Sequence, residues 1–128
     1  MDQEKIAQSK EYFIVYGILI DAAKHQGFAT YQEIAQAIGL PTAGSYMGSK
    51  VGELLGTISE NEKKQGRPML SAIAIGINGK PGGGFYPWAK KLGYLQEGDD
   101  EQAFWQNECK EIYKEWKITY RKSKTKLD

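Results

Sequence analysis

Residues 30–52 read "TYQEIAQAIGLPTAGSYMGSKVG", and the order of capping, apolar and helix-breaking residues in this stretch decides what the rest of the chain can be. Thr30 stands three residues before Glu33, the spacing at which a hydroxyl and a carboxylate cap one helix start reciprocally. Tyr31, Ile34, Ala35 and Ile38 then recur at helical spacing, and Gly39 followed by Pro41 ends the short helix they define. "LPTAGS" is a turn in which Thr42 or Ser45 is available to cap the next element. From Ser45 to Lys64 the residues Met47, Val51, Leu54, Leu55 and Ile58 share one face, which predicts a longer second helix. That helix also carries Gly48, Gly52 and Gly56 at a spacing of four. An interior helical glycine costs about 0.5–1 kcal/mol relative to alanine, so the repeat predicts close approach of another backbone.

On the amino-terminal side, apolar residues from Ile6 to Ala23 are dense and fall closer to 3–4 spacing than to alternation, which predicts one largely buried helix punctuated by Gly27. On the carboxy-terminal side, the apolar run Met69–Ile77 after Pro68 ends in Asn78-Gly79, a hairpin turn signal. "KPGGGFYPW" is then the return arm, too rich in glycine for a central strand, and "PWAKKLGYL" supplies a turn or two of helix. A terminal helix over about 99–122 starts at Asp99 and Asp100, gathers basic residues at its other end, and spaces Phe104, Trp105, Cys109, Ile112, Tyr113, Trp116 and Tyr120 along one face.

The expected fold class is therefore α+β and mostly helical. Helix, capped helix, turn, longer helix and glycine-tipped hairpin is the order of a winged helix-turn-helix with a small β-hairpin wing. Here it has added amino- and carboxy-terminal helices. The 128 residues, 41% hydrophobic, suit one domain, with the winged core at about 28–93.

At residues 30–52 the chain resembles the DNA-binding carboxy-terminal domain of the alkylguanine-DNA alkyltransferases and alkyltransferase-like proteins. Those families carry a Tyr-Gly-Glu-Ile-Ala helix, an Ile-Gly-x-Pro turn and a glycine-bearing recognition helix. Tyr31, Glu33, Ile34, Ala35, Ile38, Gly39, Pro41, Gly48 and Gly52 stand at the matching positions without a gap. Pro68 resembles the proline before the family's active-site strand, and Gly83, Gly84 and Phe85 resemble its Gly-Gly-(Phe/Tyr) wing. The resemblance implies a DNA-binding scaffold. It also has two departures. The family's Pro-Cys-His-Arg strand is replaced by "SAIAIG", leaving neither a thiol nor a base near Ile73 for alkyl transfer. Its intercalating arginine falls at Ser45, too short to hold a flipped base out of the stack.

The formal net charge of +1 excludes binding of nucleic acid through bulk charge, so any contact must be local. The expected DNA-binding set is Thr42, Ser45, Tyr46, Ser49 and Lys50 on the recognition helix, Lys64 and Arg67 at its far end with Lys63 beside them, and Lys80, Gly82 and Gly83 in the wing spanning 78–86. No arginine is placed for bidentate guanine contact, so binding to double-stranded DNA is expected to be weakly sequence-specific and dominated by phosphate contacts. The tail cluster Lys117, Arg121, Lys122, Lys124 and Lys126 is either a solvated end or a further phosphate-binding arm. A second reading makes the chain a protein-interaction module, an adaptor or inhibitor of a nuclease or defence complex. In that reading the aromatic terminal helix contacts a protein partner or a second copy.

An enzyme is not expected, because no titratable cluster converges. The glycines at 82–84 lack the lysine spacing of a phosphate-binding loop, so no nucleotide cofactor is expected. With one cysteine, Cys109, and one histidine, His25, neither a disulfide nor a metal cage is expected. The first ten residues lack the apolar core of a secretory signal, and no apolar run approaches the roughly 18 residues of a membrane span. A cytoplasmic location with no membrane partner is the expectation.

Overall fold

The computed structural model describes residues 3–117. Helix α1 (Gln3–Ala7) and helix α2 (Lys10–Lys24) divide the segment expected as one helix. Ser9 makes the division: its Oγ donates to Ile6 O at 2.7 Å, closing α1, and accepts from the Tyr12 amide at 3.1 Å, opening α2. Helix α2 buries Tyr12, Val15, Leu19 and Ala23, a stripe at helical spacing. Its end uses Gln26 in the left-handed region (φ 56°), with Gln26 N–H donating to Ala23 O and Gly27 N–H to Ala22 O. The stop signal therefore lies one residue before the glycine expected to provide it.

Strand β1 (Ala29–Thr30) runs directly into helix α3 (Tyr31–Ala37), whose capping box forms as the sequence predicts. Thr30 Oγ1 accepts from the Glu33 amide at 3.0 Å, and Glu33 Oε1 accepts from the Thr30 amide at 2.9 Å. Helix α4 spans Ser45–Lys64, the predicted limits, and buries Met47, Val51, Leu54, Leu55 and Ile58. Its amino-terminal cap is neither Thr42 nor Ser45 but Gly44 at φ 94°, with no side-chain hydrogen bond, leaving the Ser45 hydroxyl outside the capping network. Helix α4 is the hub: α1, α2, α3, the helix Phe85–Leu92 and the turn after Pro68 all pack on it.

The expected β-hairpin is mostly absent. Residues Leu70–Ile73 form a buried 3-10 turn, followed by strand β2 (Ala74–Ile75), which pairs in parallel with β1 through Ala29–Ala74 and Thr30–Ile75. The return arm contributes one antiparallel bridge, Ile75 to Pro81. Pro81 has no N–H to extend a ladder, and glycines 82–84 offer no side chains to hold a strand. Helix α5 (Phe85–Leu92) begins at once after them, so Phe85 and Tyr86 are helical rather than wing residues. Among the described residues the fold is thus α+β and mostly helical, with a sheet of two short strands.

Helix α6 (Glu101–Glu115) is capped by Asp100, whose Oδ1 accepts from the Ala103 amide at 3.0 Å. It closes the core from one side: Trp105 Nε1 donates to Ala72 O at 2.8 Å and Tyr113 Oη donates to Gly27 O at 2.9 Å. The Met69 amide donates to the buried Glu108 carboxylate at 2.8 Å. No helix of the described residues is long and apolar enough to cross a membrane.

Candidate functional site

The first two turns of α4 bury Met47 and Val51 against the core, which leaves the opposite side of the helix to solvent. Ser45, Tyr46 and Ser49 are exposed there, Tyr46 at 58%, and Thr42 is exposed in the turn before the helix. Lys50 is half-buried, its ammonium 3.8 Å from the Glu53 carboxylate one turn on. At that separation and exposure the pair is loosely held, and the lysine is free to reach another anion.

Beside this face lies a cleft of about 660 Å³, walled on one side by α4 and on the other by the loop Gly82–Gly84. Tyr31, Ser49, Glu53, Thr57, Phe85 and Trp88 are among its lining residues. The three helix glycines meet the cleft differently from expectation. A methyl group at Gly48 or Gly52 would meet nothing within 4 Å, so no backbone packs there. At Gly56 the neighbour is the Trp88 indole, 3.5 Å from a Cβ position, and its Nε1 donates to Gly56 O at 2.9 Å. Close approach occurs instead at Gly82, where a Cβ would run into the Tyr31 hydroxyl. Burial pushes the Tyr31 phenol above its usual pKa.

The turn leading to this loop is short and braced. Gly76 N–H donates to Lys80 O at 2.9 Å, Gly79 N–H donates to Gly76 O at 3.0 Å, and Asn78 Oδ1 accepts from the Lys80 amide at 3.0 Å. Gly79 sits at φ 76°, the left-handed conformation that the Asn-Gly signal anticipates. Ile77 and Lys80 both project into solvent.

Arg67 and Lys64 lie elsewhere. Lys64 is 19 residues beyond Ser45 on α4, about 28 Å along the axis, and is exposed. Arg67 is engaged by the core: its Nε and Nη2 donate to Glu62 Oε2 at 2.7 and 2.6 Å, and Glu62 is only 1% exposed. Tyr16 Oη donates to Glu62 Oε1 at 3.1 Å, and the guanidinium lies 5.5 Å from the centre of the Trp116 ring. Burial and the Glu62 carboxylate push the Tyr16 phenol up to about 12. Lys63 rests over the Tyr94 ring at 4.5 Å. Of the expected DNA-binding residues, Ser49, Gly82 and Gly83 line the cleft, whereas Lys50 lines a separate pocket with Ile38, Leu40 and Leu54. Thr42, Ser45, Tyr46 and Lys80 are exposed but not among the cleft's lining residues, and Lys64 and Arg67 lie at the opposite end of α4.

Of the tail cluster only Lys117 falls within the described residues, where it is exposed; Arg121, Lys122, Lys124, Lys126 and Tyr120 lie outside them. The described aromatics of α6 make intramolecular contacts, with Trp105 and Tyr113 both against Phe28 and Trp116 edge-on to Tyr16. Burial pushes the Cys109 thiol up to about 11, so it is protonated and unreactive at neutral pH. His25 sits at the end of α2, its Nδ1 2.8 Å from Asp21 O, at the surface as its sequence position suggested.

The sequence does not mark Tyr31 or Trp88 as cleft residues, nor Ile77 as the exposed tip of the turn. In the sequence Tyr31 belongs to an apolar stripe and to the matched helix motif, neither of which points to a cleft wall, and the approach of Trp88 to Gly56 joins residues 32 apart, for which no local signal exists. Ile77 does leave a trace, as an aliphatic residue beside a polar turn dipeptide. Compared with known proteins, the chain matches no family model, no curated protein and no solved structure.

Proposed function

We propose that this chain is a non-enzymatic DNA-binding protein built on a winged helix-turn-helix, with α3 and α4 as the helix pair, the first half of α4 as the recognition element and the turn Gly76–Lys80 as a shortened wing. The observation that supports this reading is the cleft lined by both Gly48–Thr57 of α4, which includes the exposed Ser49, and the loop Gly82–Gly84. Neither the exposed hydroxyls of Thr42, Ser45 and Ser49 nor the Lys80 ammonium is taken up by the core, and Lys80 has no carboxylate within 4.0 Å among the described residues. Hydroxyls and lysines position a phosphate backbone and read bases weakly, so the reading is one of sequence-tolerant binding.

Fluorescence anisotropy with a short labelled duplex tests it. Binding is expected at low salt, with a steep fall as salt rises. Lys50→Glu combined with Lys80→Glu should abolish measurable binding at low salt, and neutral replacements should reduce the logarithmic salt slope by about 0.9 per lost phosphate contact. Absence of binding by the unaltered chain, or binding indifferent to both charge reversals, overturns the reading and favours the protein-interaction module.

A further inference from the structure

We infer that Ile77 is an apolar wedge, carried on the tip of the Gly76–Lys80 turn and inserted between base pairs of bound duplex DNA; this rests on the DNA-binding reading above. Ile77 is 89% exposed, well beyond Phe13 at 61% and Tyr46 at 58%. Nothing in the turn calls for an aliphatic residue there. The left-handed position is occupied by Gly79 and the side-chain brace is supplied by Asn78, so a polar residue at 77 would leave the fold intact and remove an apolar surface from water. The side chain does not fold back onto the core, and its β-branch restricts it to few rotamers.

The mount is stiff as well. Three hydrogen bonds close the turn, and its base is tied down where Ile75 pairs with Thr30 on one side and bridges Pro81 on the other. Force on the tip is therefore taken by the core rather than dissipated in a mobile loop. Lys80, exposed three residues along, is placed for the flanking phosphates. A short rigid protrusion with a branched apolar tip and an adjacent cation has the makings of a minor-groove wedge, which partly unstacks a base step and kinks the duplex. The flexible pyrimidine–purine steps are the ones it would enter most readily.

The test uses the full chain and short duplexes carrying 2-aminopurine at each position in turn, including pyrimidine–purine steps, because this base brightens when it loses its stacking neighbour. The unaltered chain is expected to raise the fluorescence at one or a few adjacent positions on saturation. Ile77→Ser should keep the native circular dichroism spectrum and melting profile, bind about tenfold more weakly, as expected for losing one buried aliphatic contact, and give no rise. Ile77→Met should restore the rise. Duplex binding without brightening at any position, or brightening unchanged in Ile77→Ser, overturns the wedge while leaving DNA binding in place. Failure of the unaltered chain to bind any duplex overturns both.

Discussion

Replacing Gly48 and Gly52 with alanine should stabilise the protein, although three glycines on one helix invite the opposite expectation. Both lie inside α4, and a Cβ at either would meet no atom within 4 Å. The only change is then the gain in helix propensity and the loss of unfolded-chain entropy, about 0.5–1 kcal/mol at an interior position. Gly52 should give the full amount. Gly48 should give less, because it sits only four residues into the helix, where its amide bonds Gly44 O at 3.3 Å. Together they should yield about 1–1.5 kcal/mol. For 128 residues the unfolding entropy is about 0.27 kcal/mol per degree, which converts that gain to a rise in Tm of about 4–6 °C. Thermal melts followed by far-ultraviolet circular dichroism, with urea titrations to check an unchanged m value, measure it. Gly82→Ala is the contrast: its methyl collides with Tyr31 at the start of capped helix α3, and a loss of about 1–3 kcal/mol is expected. A fall in Tm for Gly52→Ala would mean that the space beside α4 is filled in the folded chain, and the open cleft would have to be abandoned.

Glu108→Gln keeps an acceptor for the Met69 amide and removes a buried charge. The Glu108 carboxyl is held above its ordinary range, first by burial and then by Glu111, against the lowering effects of the Met69 hydrogen bond and Lys63. Its contribution to stability is therefore fully present below the unfolded pKa near 4.5 and is lost as pH rises through the raised folded value. The glutamine variant should melt above the unaltered protein at neutral pH and converge with it on acidification, whereas Glu108→Ala should cost about 1–3 kcal/mol by orphaning the amide. Arg67→Ala strands the buried Glu62 carboxylate and should cost about 3–5 kcal/mol, read as a Tm lower by roughly 10 °C or more. Cys109 should resist a thiol-reactive chromophore in the native state and react in full only after denaturation, as its burial and raised pKa require.

The candidate site was legible wherever a residue's role follows from exposure on a helix whose limits are known. Ser45, Tyr46 and Ser49 could be placed opposite the apolar stripe of α4, because the stripe itself fixes which side faces the core. Arg67 could not. It lies five residues beyond Glu62 and past the end of α4, and only the turn at Gly66 (φ 71°) brings the guanidinium back onto that buried carboxylate. Lys64, three residues earlier, stays in water. Two cations close in sequence thus have unrelated fates.

By itself, the sequence determined the elements whose signals fit within one helical turn: the Thr30–Glu33 capping box and the Asp100 start of α6. These rest on hydrogen bonds between near neighbours, which form alike in many tertiary settings. Only the tertiary structure decided what became of Met69–Ile77. Its first six residues are buried, so they carry no alternation to distinguish strand from turn, and the run took a 3-10 turn and a parallel strand beside β1. It also decided the meaning of the glycines. Whether a missing side chain leaves a contact or a cleft depends on what stands across from it, and across from Gly48 and Gly52 there is open space.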